Sequence, residues 1–142
     1  QIVAYDPYIS STVRNEYNIS LVELQELFEM ADIISIHLPL NHETKDLLNY
    51  KAFSQMKKKP IIINSSRGSI VNERDIIKAY KDTLINGFAL DVYESEPVEE
   101  NFSKQITNKM NCILTPHIAG VTSESNKRVS QFIVDKMMKF FK

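Results

Sequence analysis

Short β-type apolar runs alternate with amphipathic helical segments along the whole 142-residue chain. That alternation restricts the fold to a mostly parallel sheet with helices packed on its faces. The runs IVAY (2–5), DIISIHL (32–38), PIIIN (60–64), GFALDVY (87–93) and CILTP (112–116) are the expected strands. PIIIN, being continuously apolar, suits a strand buried on both faces. Between the runs, Ser20 and Glu23 have capping-box spacing ahead of a helix with Leu21, Leu24, Leu27 and Phe28 on one face. A second helix is expected from about Asn49 to Met56, and Asn72 caps a third with Ile76, Ile77 and Tyr80 inward. A last helix opens near Thr122 or Ser123, and its Val129, Phe132, Ile133, Met137 and Phe140 recur at helical spacing as a packing stripe. The expected class is α/β, a doubly wound parallel sheet.

A chain of this length makes one ordinary domain with a real core. Its formal net charge is −1 with both signs interspersed, so nothing draws it toward nucleic acid or an anionic membrane. The cluster at Lys57, Lys58 and Lys59 reads as a helix end before Pro60. No run approaches the roughly 20 apolar residues of a membrane span, and QIVAYDP lacks a signal-peptide pattern. A soluble, cytoplasmic protein is expected. The single cysteine, Cys112, suits a reducing compartment and a buried, inert thiol. His37, His42 and His117 lack metal-ligand spacing.

Ionisable residues sit at strand ends: Asp6 after IVAY, Arg67 after PIIIN, Asp91 and Glu96 after GFAL, and His117 after CILT. In a parallel sheet these ends share one edge, where ligands bind in open α/β folds. Each residue has a plain alternative. Asp6 before Pro7 can simply start a turn, Arg67 can make a surface ion pair, Glu96 can be a loop carboxylate and His117 a satisfied core histidine. Together their chemistry is complementary. A carboxylate can fix an imidazole tautomer, a guanidinium can hold a substrate carboxylate bidentately, and the imidazole can move the hydroxyl proton.

The ordered motifs PIIINSSRGSIVNE, FALDVYESEP and CILTPHIAGVT, joined by YDP and SIHLPLNHETKDLLN, resemble the nucleotide-binding domain of the D-isomer-specific 2-hydroxyacid dehydrogenases. Those NAD-dependent enzymes interconvert 2-hydroxy and 2-oxo acids. The resemblance implies a Rossmann-like fold and a trio in which Arg67 orients the substrate carboxylate, His117 is the general acid/base, and Glu96 bonds to His117. It implies cofactor contacts at Asp6 and Pro7 (adenosine ribose, favouring NAD over NADP), Leu38 and Pro39 (adenine and ribose wall), Thr44 and Ser66. Asp91 and Gly120 would lie by the nicotinamide, with Arg67 and His117 facing the same ring. Gly68 is expected to let the backbone turn. A homodimer is expected of the full-length parent. The same fold also serves NAD(H)-sensing corepressors, and an inactive remnant is a third reading.

The family's glycine fingerprint would lie before IVAYDP, and only Gly68, Gly87 and Gly120 occur here. Residues 1–142 therefore read as a partial NAD-binding domain lacking its first strand, first helix and substrate domain. In the strand order 3-2-1-4-5-6 the missing strand is central, so an unpaired interior edge is expected. MKKKPI also lacks a glycine usual in the family, and Asn41 and His42 replace commoner residues.

Overall fold

A computed structural model describes residues 1–10 and 20–141. Four parallel strands, β1 (Ile33–Ile36), β2 (Ile61–Asn64), β3 (Gly87–Leu90) and β4 (Cys112–Leu114), lie side by side in chain order. Among the described residues, five helices, α1 (Leu24–Met30), α2 (Tyr50–Phe53), α3 (Glu73–Lys81), α4 (Glu100–Ser103) and α5 (Ser123–Phe140), accompany them. Parallel neighbours need crossover connections, and α2 and α3 supply them between β1, β2 and β3.

The core sits against β2 and β3: Phe53, Ile62, Ile70, Ile76 and Ala79 are fully buried, and Phe88 nearly so. Capping chemistry explains where the helices start. Asn49, Asn72 and Thr122 each accept a backbone N–H three residues on, opening α2, α3 and α5, which satisfies donors a helix start otherwise leaves free. Along β1 the burial alternates, with Ile34 and Ile36 inward and Ile33 exposed.

The structure corrects several expectations. IVAY is not a sheet strand: Ala4 alone forms a parallel bridge, to Leu21, with Ala4 N–H donating to the Ser20 carbonyl at 2.9 Å and Val22 N–H to the Ala4 carbonyl at 3.0 Å. That bridge holds Ser20–Val22 extended, so the Ser20/Glu23 capping box does not form, and α1 starts after Glu23 with no side-chain cap. Between Gln1–Asp6 and β1 lies a cavity of about 950 Å³ lined by Ile2, Ala4, Leu27, Phe28, Ile34 and Ile36 among others. This is where the strand order calls for a further strand, and among the described residues β1 pairs only with β2.

The second helix ends at Phe53, short of Met56. The three lysines lie beyond it, where Lys57 pairs with Glu29 and Lys58 with Asp32 at 3.3 Å; the cluster therefore ties a turn to α1 instead of ending a helix. The polar stretch after GFALDVY contains the unexpected α4, which buries Phe102. Cys112 is only half-buried, and that burial raises its thiol pKa. The α5 stripe is formed but unburied, with Val129, Phe132, Ile133, Met137 and Phe140 all more than half exposed. No helix among the described residues is long and apolar enough to cross a membrane.

Candidate active site

Because all four strands run the same way, the loops after β2, β3 and β4 emerge at one edge. The loop after β2 is organised by Asn64, which is 1% exposed. Its Oδ1 accepts from Ser66 N–H (3.1 Å) and Ser66 Oγ (2.9 Å), and its Nδ2 donates to the Arg67 carbonyl at 2.8 Å. A buried amide satisfied on both ends specifies one loop shape. That shape leaves the Arg67 side chain exposed, with Nη1 donating to the Ser66 carbonyl at 2.6 Å.

Gly68 has a different reason from the one expected. No glycine has a positive φ; the left-handed residue of this loop is Ser69, at φ 45°. A Cβ on Gly68 would collide with the Tyr93 carbonyl group. Glycine is needed because the loop after β2 presses against the backbone of the loop after β3.

Asp91, 6% exposed, directs both carboxylate oxygens at the loop after β4. Oδ1 accepts from Thr115 Oγ1 and from Ile118 N–H (2.9 Å), and Oδ2 accepts from Ala119 N–H (2.9 Å). Burial pushes the Asp91 carboxyl up, but these three bonds together with the nearby His117 charge outweigh it and hold the pKa below the ordinary value. His117, between the anchored residues, has φ 54°. A non-glycine residue there is strained, and such strain persists when its surroundings impose it.

The imposed backbone turns the His117 ring onto Glu96. Nδ1 lies 2.8 and 2.9 Å from the two Glu96 oxygens, both side chains being roughly half exposed. The bond to His117 is the main reason the Glu96 carboxyl is lowered. An ionised carboxylate can only accept, so Nδ1 carries the proton and Nε2 is the nitrogen left for other partners. Glu96 Oε1 also accepts from Tyr93 N–H at 3.3 Å.

The remaining candidate positions lie in loops or along the cavity wall. Asp6 is exposed, and its Oδ1 accepts from Tyr8 N–H at 2.8 Å, so it does start a turn around Pro7. Asp6 and the half-buried Leu38 line the same cavity, while Pro39 is exposed and its carbonyl accepts from Thr44 Oγ1 at 2.6 Å. Thr44 is thus first a turn residue, as Ser66 is first a partner of Asn64. A Cβ at Gly120 would meet nothing within 4 Å, so nothing among the described residues demands glycine there.

The sequence profile of the "D-isomer specific 2-hydroxyacid dehydrogenase, NAD binding domain" matches residues 1–119. The chain belongs to that family. It is 35% identical to a hydroxypyruvate reductase of Blautia hydrogenotrophica over all 142 residues, covering 43% of that protein. Among solved structures, the apo D-lactate dehydrogenase of Escherichia coli superposes with a TM-score of 0.81 at 34% identity over 99% of this chain and 43% of that one. The D-lactate dehydrogenase of Lactobacillus jensenii with NAD+ gives 0.79 at 29% identity over 89% and 41%. The chain thus spans less than half the length of these relatives.

Within this NAD-binding domain, the structure joins Glu96 to His117 and places Arg67 in the adjacent loop at the same edge. Sequence reading assigns no role to Asn64, Thr115, Glu73 or Glu94, all of which hold that edge together. Their signal is weak, because short polar residues next to strand ends are common in any α/β loop.

Proposed function

We infer that this chain supplies the NAD-binding part of an oxidoreductase that moves a hydride between NAD(H) and a D-2-hydroxy acid or its 2-oxo acid. The observation that carries the reading is the Glu96–His117 contact at 2.8 Å, on the sheet edge that also presents Arg67. A carboxylate-fixed imidazole with Nε2 free is the arrangement a general acid/base needs. Arg67, exposed and permanently charged, is suited to hold a substrate carboxylate. NAD is the cofactor for which the family's domain is named, and when bound it supplies the hydride acceptor or donor.

The residues at hand fit parts of that cofactor. Asp6 offers an exposed carboxylate acceptor beside the apolar wall of Leu38, which suits a ribose diol next to an adenine. A second phosphate at that position would meet the Asp6 charge, which favours NAD over NADP. Asp91 engages both oxygens on the His117 loop, which supports the histidine, and with Gly120 on the same loop it belongs to the part of the site assigned to the nicotinamide. During reduction of the oxo acid, His117 gives a proton from Nε2 to the substrate oxygen while Glu96 holds Nδ1–H. In the reverse direction Nε2 takes the hydroxyl proton.

The test is to follow NADH absorbance for the polypeptide carrying this chain against glyoxylate, hydroxypyruvate and pyruvate. Turnover that falls about 100- to 10,000-fold in His117→Ala is the expected result. NADH binding without turnover of any 2-oxo acid would overturn the dehydrogenase reading in favour of a nucleotide-sensing module.

A further inference from the structure

Outside the trio, one polar arrangement spans the two loops that carry Arg67 and Glu96. Glu73, the first residue of α3, is 8% exposed, and its Oε1 accepts from Glu94 N–H at 2.7 Å. In return Glu94, whose side chain is exposed, accepts Glu73 N–H on its Oε1 at 2.8 Å. Each carboxylate thus bonds the other residue's backbone. The bonds cross from the start of α3, six residues after Arg67, to a point two residues before Glu96. Beside them Gly68 packs on the Tyr93 carbonyl so closely that no side chain fits.

Burying a carboxylate is costly unless it is hydrogen-bonded, and a shorter polar residue or an alanine could open α3 equally well. Asn72 already caps the helix through Asp75 N–H, so Glu73 is not required for that task. What Glu73 and Glu94 add is a link between loops. Glu94 also meets a free donor at the positive end of α3, where an anion is favoured.

We propose that Glu73 and Glu94 are a pair of positioning residues that lock the Glu96 loop to the Arg67 loop, so that the Glu96–His117 pair and the guanidinium keep a fixed relation across the crevice. The catalytic purpose of that relation rests on the dehydrogenase reading above; the lock itself does not. Neither residue touches a reacting atom. Their action on His117 runs through Glu96, whose Oε1 is already tied to Tyr93 N–H in the same short loop.

The experiment is ring-nitrogen NMR of His117 in the polypeptide carrying this chain at a pH where the imidazole is neutral, comparing Glu73→Ala, Glu73→Gln, Glu94→Ala and Glu94→Gln. The native chain should show one tautomer, protonated on Nδ1. Glu73→Ala and Glu94→Ala should each replace it with an averaged pattern and speed exchange of the partner amide by about 10-fold or more. The glutamine variants keep a carbonyl acceptor and should retain the native signature. Should Glu73→Ala fail to fold, Glu94→Ala, altering only an exposed side chain, carries the test. A native His117 pattern in the alanine variants, with only a lower melting temperature, would overturn the proposal. The readout involves neither NAD nor turnover, so a chain without dehydrogenase activity would test the lock equally well.

Discussion

Asp91 Oδ1 accepts the Ile118 backbone N–H at 2.9 Å, which ties a buried charge at the end of β3 to the residue immediately after His117. The adjacent Oδ2 does the same for Ala119. Asp91→Asn keeps the shape but can present only one oxygen, so one of the two amides loses its acceptor. The expected cost is about 1.5–3 kcal/mol at neutral pH, the usual range for a bond to a charged group, read by urea denaturation. Because the Asp91 pKa is lowered in the folded chain, its stabilisation is complete above the unfolded value of about 3.9 and is lost as pH falls through the folded value. The gap between native and variant should therefore narrow on acidification; a constant gap would contradict the charged-anchor account.

Gly68 and Gly120 should respond oppositely to the same substitution. A Cβ on Gly68 runs into both the carbon and the oxygen of the Tyr93 carbonyl. Backbone cannot move aside as a flexible side chain can, so Gly68→Ala should cost about 3 kcal/mol or more and loosen both loops. Gly120→Ala meets nothing within 4 Å and should stay within about 0.5 kcal/mol of native stability. Thermal melts of the two variants decide the matter, and equal effects would show that the close approach is not the reason for Gly68.

The contrast between these glycines shows what is legible in sequence and what is not. PIIIN and GFAL read as strands because an apolar run between turn signals has few other uses, and Asn72 and Thr122 read as caps because the capping bond is local. IVAY misleads because a strand exists only through its neighbours, and Ala4 finds one bridge partner. The α5 stripe is visible as a pattern, but its burial depends on surfaces other than its own helix. At the site, the pairing of Glu96 with His117 follows from family-like motifs. The roles of Asn64 and Glu73 do not, because both act through backbone groups of residues that only the folded chain brings near. Gly68 is recognisable as a special position, yet its cause is the closeness of Tyr93 and not its own φ.

Glu73 gives the opposite pH behaviour to Asp91. Burial raises its carboxyl above the ordinary value and outweighs the Glu94 N–H bond that lowers it, and the nearby Glu94 and Glu99 charges add to the rise. The folded chain therefore holds this proton more tightly than the unfolded chain, and stability falls as pH rises from the unfolded value of about 4.3 through the folded one. Glu73→Gln has no proton to lose while keeping its acceptor for Glu94 N–H. Its stability relative to the native chain should rise across that window and level off above it. Urea midpoints at a series of pH values check this, and a difference that does not vary with pH would mean that Glu73 is not strained by its charge.

On the open side of β1, Ile33 is 60% exposed, β1 pairs only with β2 among the described residues, and the neighbouring Gln1–Asp6 segment stands off across a cavity of about 950 Å³. An apolar edge with free backbone groups is a template for another strand. The 142-residue chain should therefore self-associate as its concentration rises, with increased light scattering. Ile33→Lys places a charge on that edge while removing a side chain that is mostly in water already. It should suppress the association with a change in melting temperature no larger than about 0.5 kcal/mol would produce. Association unchanged in Ile33→Lys but abolished by Phe132→Lys on α5, where Phe132 is 62% exposed, would move the sticky surface from the sheet edge to the helix.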